Sequence, residues 1–142
     1  MLTQNQGDCR GLRSLARGVV IAGVALLIAA LASLFLAGRA SASTLSHPAG
    51  CPRVAFCGCG AAVEVFGRPV RDLWLAANWF RFPPASAAPG MVAVRQHHIV
   101  VIRQALPGNK AIVYDANSGH HMTQIHEVSL AGYSIRNPHR GG

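Results

Sequence analysis

The sequence predicts an α+β fold, with N-terminal helices packed on a small antiparallel sheet and a hydrophobic leader helix ahead of them. Three observations carry that expectation. A long uncharged run, Gly18–Gly38, follows a group of arginines; helical periodicity marks residues 60–77; and after Pro83-Pro84 and Pro89-Gly90 the chain changes to short β-branched runs. Of the 142 residues, 51% are hydrophobic and 13% charged, which excludes the low-hydrophobicity, high-charge composition of a disordered chain. Roughly 100 residues follow the leader, enough for one small domain and too few for two.

Arg10, Arg13 and Arg17 precede the 21-residue run, and Ala40-Ser41-Ala42 has the small-x-small form of a cleavage site. The run exceeds the ~7–15 residues of an ordinary signal core and approaches the ~20 that span a bilayer. Residues 1–42 therefore read as a signal peptide, with cleavage after Ala42 preferred, or as an uncleaved inner-membrane anchor. In both cases the arginines hold the amino terminus inside, and the rest of the chain is extracytoplasmic, periplasmic or secreted.

Thirteen basic residues against five acidic ones give +8. The leader holds four arginines and Asp8 (+3), and the remainder nine basic and four acidic residues (+5). No basic block occurs, so a nucleic-acid partner is not expected, and a scattered surplus of arginine serves solubility more often than a particular anion.

Residues 43–56 are rich in Pro, Gly and Ser without periodicity and read as a lead-in segment to the domain at 57–142. Gly60–Phe66 has good helix formers and stops at Gly67. A second helix is expected from Pro69, with Val70, Leu73, Trp74 and Ala77 at i, i+3, i+4 and i+7, and with Trp74 and Trp79 packing the core. Strands are expected at Met91–Arg95, His98–Arg103, Ala111–Tyr114, Met122–Ile125 and Tyr133–Ile135. Leu106-Pro107-Gly108-Asn109 would turn the second into the third.

Beyond the leader's Cys9, three cysteines remain, and in an oxidising compartment an odd number leaves one thiol unpaired. A ring closed between Cys57 and Cys59 across one glycine would be strained, whereas Cys51 and Cys57 enclose a loop that closes freely. Cys59 is then the free thiol. A helix start favours negative charge on a sulfur, and the backbone N–H groups of Cys59 and Gly60 could receive the oxyanion of a tetrahedral intermediate. Such chemistry needs a base and a group to orient it. His98 opens the apolar strand Ile99–Ile102 and is the expected base. Asp115 and Asn117 follow the next strand and return beside it, either one able to accept the imidazole N–H.

These features, with Ala77-Asn78-Trp79, Pro89-Gly90 before a Val-Ala-Val strand, Asp115-Ala116-Asn117 and a closing Gly132-Tyr133-Ser134-Ile135, resemble the CHAP family of cysteine, histidine-dependent amidohydrolases and peptidases. The likeness spans residues 57–138. It implies a papain-like layout and an acyl-enzyme route of amide cleavage in peptidoglycan or another peptide, with no cofactor. Cys59 would be nucleophile, His98 general base, Asp115 the orienting group and Asn117 an alternative or helper. The chain departs from the family pattern at Gly90-Met91, where Gly-Asp is usual, and at His97-His98, where Gly-His is usual. Two other readings compete. His120, His121 and His126 with the thiolates of Cys57 and Cys59 could bind zinc or copper, although Cys-x-Cys is not the usual knuckle spacing. A catalytically silent envelope-binding module could share the same fold.

Overall fold

The computed structural model describes residues 42–141, so the expected leader lies outside the described residues except for Ala42. Among the described residues no helix is long and apolar enough to cross a membrane. The β-branched runs form strands β2 (Val92–Arg95), β3 (His98–Leu106), β4 (Lys110–Ser118), β5 (Met122–Ser129) and β6 (Ser134–Arg136), while β1 (Ser43–Leu45) comes from the lead-in segment. The fold is α+β: a six-stranded antiparallel sheet in the order β1-β5-β4-β3-β2-β6, with helical segments packed on it. β3 and β4 run longer than their apolar cores suggest, because each hairpin partner extends the ladder into polar residues. Residues Pro107–Asn109 make the expected turn, with Gly108 and Asn109 at φ of 73° and 56°. A tighter turn at Gln96-His97 joins β2 to β3, since Arg95 pairs with His98.

Both sheet faces are buried, which explains the near-continuous apolar reading of β3. Ile99 and Val101 alternate onto one face with Val92, Val94, Tyr114 and Ala116. Val100 and Ile102 join Ala93, Ala111, Val113 and Leu130 on the other. Each buried Val, Leu or Ile among them contributes about 1.5–3 kcal/mol on burial.

The helix α1 (Cys57–Phe66) lies on the first face and begins earlier than expected. Its end is as expected: Gly67 takes the left-handed conformation, and its N–H donates to the Val63 carbonyl. Gly60 is required by close approach, because a Cβ there would collide with the Cβ of Ala116 on β4. Gly58 is required too, against the carbonyls of Leu73 and Trp74. These glycines are therefore spent on helix packing.

The expected second helix is instead two 3₁₀ segments, Arg71–Leu73 and Ala76–Arg81. An α-helix would bond the carbonyls of Asp72 and Leu73 to backbone N–H groups four residues on. Here the side chains of Asn78 and Trp79 donate to those carbonyls, at 2.7 and 2.8 Å. The buried residues are accordingly Leu73, Ala76, Trp79 and Phe82, spaced by three. Trp79 is core, between the rings of Phe66 and Phe82, whereas Ala77 is exposed and Trp74 is only half-buried beneath the Arg71 guanidinium.

Candidate functional site

The cysteine pairing differs from the sequence expectation. Cys59 is bridged to Cys51, with Cα atoms 5.7 Å apart, and Cys57 is the free thiol among the described residues. The reason lies in where the helix starts. Phe56 is fully buried and sets Cys57 as the first helical residue, which turns the third, Cys59, toward the Pro48–Cys51 turn. Gly60 faces the same way, since its missing Cβ would also touch Pro48. Cys59 therefore cannot be the nucleophile, and Cys57 is not in a disulfide.

Cys57 occupies the position reasoned for Cys59, a free thiol at a helix start. Its thiol donates to the His97 carbonyl at 3.9 Å, and the residue is 6% exposed. The expected oxyanion donors also change. The Gly60 N–H donates to the Phe56 carbonyl at 2.7 Å and is withdrawn by that bond. The N–H groups of Cys57, Gly58 and Cys59 precede this first intrahelical bond.

His98 and Asp115 are brought together, with His98 Nε2 2.9 Å from Asp115 Oδ1. The register explains the meeting. Val101 pairs with Tyr114, so Asp115 stands one residue along β4 from that pair and His98 lies diagonally across from it on the same face. On the other side Asp115 pairs with Gln124, and His126, two residues along β5, supplies a second diagonal contact, Nε2 to Oδ2 at 3.0 Å. One buried carboxylate thus accepts from two imidazoles on two neighbouring strands. With Nε2 committed, Nδ1 is the His98 nitrogen left free, and the Cys57 side chain lies close enough to the ring to raise its affinity for a proton.

Burial disfavours a charged His98, but the hydrogen bond to Asp115, the neighbouring Cys57 side chain and the charges of both outweigh it and raise the imidazole from 6.5 to about 9. Burial likewise works against an ionised Asp115, yet hydrogen bonds from His98 and His126 hold it below the usual carboxylate range. Tyr133, whose hydroxyl is pushed up mainly by burial, feels the charges of Arg95, Asp115 and Cys57 and so borders the site. The Arg95 guanidinium lies 4.9 Å over its ring.

Asn117 is not part of this group. It adopts φ 62°, at the point where β4–β5 pairing shifts, and its Oδ1 accepts from His121 Nδ1 at 2.9 Å. Of the residues expected to hold a metal, His121, His126 and Cys59 are committed elsewhere. His121 bonds Asn117, His126 bonds Asp115, and the sulfur of Cys59 is in the disulfide. Among the described residues no three His, Cys, Asp or Glu side chains are grouped to hold a metal ion.

A hollow of about 360 Å³ opens beside Cys57, walled by Trp74, Leu75, Ala76, Ala77, Gln96 and His97. A second, lined by Arg95, Gln96, His97 and His98, adjoins it across the β2–β3 turn. The indole N–H of Trp74 is buried and has no partner in the protein. The sequence expectation puts Trp74 in the core, and no sequence feature singles out Gln96. The signal for His126 was its place two residues from the partner of Asp115, which needs the register to be read.

No protein-family model, curated protein or solved structure matches the chain.

Proposed function

We propose that the domain is an extracytoplasmic cysteine hydrolase of CHAP-like, papain-like layout, cleaving an amide bond in peptidoglycan or another peptide, with Cys57 as nucleophile. One observation carries the reading: the unpaired sulfur at the first residue of α1 lies beside His98, whose Nε2 bonds the buried carboxylate of Asp115. The Cys51–Cys59 bridge supports an oxidising compartment.

In this reading the thiol proton passes to His98 Nδ1, where the upward shift of the imidazole retains it. The sulfur adds to the substrate carbonyl, and the helix-opening N–H groups of Cys57 and Gly58 receive the oxyanion. Collapse breaks the C–N bond, and the amine leaves with the proton from His98. The thioester is then hydrolysed by a water that gives its proton to His98, releasing the acid and restoring the thiol. Asp115 stays ionised throughout and fixes the ring.

The test is digestion of purified cell wall by the native protein and by the Cys57→Ala and His98→Ala variants. Fragments released by the native protein alone support the reading. Equal release by Cys57→Ala, or none by the native protein, contradicts it. The near-complete burial of Cys57 favours a second reading, a silent envelope-binding module. Retention of the native protein on cell wall without any released fragment would support that alternative.

A further inference from the structure

We propose that His126 is a positioning residue of this site. It acts on Cys57 through Asp115 and His98 by holding the carboxylate in the orientation that fixes the His98 ring beside the sulfur. The inference rests on the reading of Cys57 as nucleophile. A carboxylate held through one oxygen can still turn about its last side-chain bond, and a turn of Asp115 would carry the His98 ring with it. Here both oxygens are occupied, Oδ1 by His98 at 2.9 Å and Oδ2 by His126 at 3.0 Å. The two donors come from strands on opposite sides of β4, so the carboxylate plane is fixed from left and right.

The backbone supplies a reason for needing this anchor. Asp115 is the last residue of β4 in regular register with β5; pairing shifts before Ser118, and Asn117 sits at φ 62°. The ladder therefore positions Asp115 from one side only, and the side-chain bond to His126 replaces what the interrupted pairing does not provide. His126 reaches neither Cys57 nor the hollow beside it by any hydrogen bond, so its effect on the sulfur passes through two intermediaries.

The experiment measures two quantities in the purified protein and its variants: the rate of Cys57 alkylation by iodoacetamide at pH 7, with peptide mapping to separate Cys57 from Cys9, and the NMR titration of the His98 imidazole. His126→Ala is expected to slow alkylation by about tenfold, short of the roughly 10²–10⁴ that full general-base assistance contributes. It should also shift the His98 titration downward. His126→Gln, which keeps an N–H donor, should recover the rate to within about threefold of native. Should His126→Ala not fold, His126→Phe keeps the ring volume without a donor, and the Gln–Phe comparison decides. Alkylation and titration unchanged in the donor-less variant, or a His98 titration that moves upward, overturns the proposal. A native Cys57 no more reactive than free cysteine overturns the hydrolase reading instead. The His98 titration then still decides whether His126 positions Asp115.

Discussion

His98 Nε2 and Asp115 Oδ1 stand 2.9 Å apart on adjacent antiparallel strands, and their pairing ties the titration of the site to the stability of the fold. The upward shift of His98 to about 9 means that the folded state binds its proton more tightly than the unfolded chain, whose imidazole titrates near 6.5. The contribution is fully present below 6.5 and is lost as pH rises toward 9. Thermal melts should show the native protein losing stability over that window relative to His98→Asn, by roughly 2 kcal/mol after allowance for the partial exposure of the ring. Parallel profiles for the two proteins would contradict the pairing.

Gly60 on the helix lies directly against Ala116 on the sheet. Gly60→Ala should destabilise the fold by about 1–3 kcal/mol, because the new Cβ meets another Cβ with no flexible end to give way. Ala116→Gly in the same chain should recover much of that loss. A double-mutant cycle from chemical denaturation measures the coupling, and strict additivity would show that the two residues do not meet.

The Cys51–Cys59 bridge joins residues eight apart, for which loop-closure entropy gives roughly 2–3 kcal/mol. Replacing both by alanine should lower stability by about that amount and leave Cys57 as the thiol reactive in the domain. Mass mapping under non-reducing conditions checks the pairing itself. A peptide linked through Cys57 would return the site to the arrangement expected from sequence.

Much of the fold is readable from residue pattern. The β-branched runs and the turns at Pro107–Asn109 locate the central strands, and the left-handed Gly67 marks the helix end. The meeting of His98 and Asp115 follows from strand, hairpin and return strand. The thiol assignment does not follow, because ring strain excludes only the Cys57–Cys59 pair and permits Cys51 to reach either partner. Tertiary burial of Phe56 decides the helix start and hence which cysteine faces the Pro48–Cys51 turn. The 3₁₀ segments are hidden for a similar reason: an i, i+3, i+4 pattern does not reveal that Asn78 and Trp79 will capture the carbonyls an α-helix needs. β1 has three exposed residues and no alternation to announce it.

The most direct test of the account is to trap the covalent intermediate. Cell-wall peptides incubated briefly with the protein at neutral pH and quenched in acid should leave an acyl mass on the peptide containing Cys57. It should be absent from Cys57→Ala and from His98→Ala. A Cys57 sulfur left unmodified while substrate is cleaved, or an acyl group carried by another residue, would contradict it.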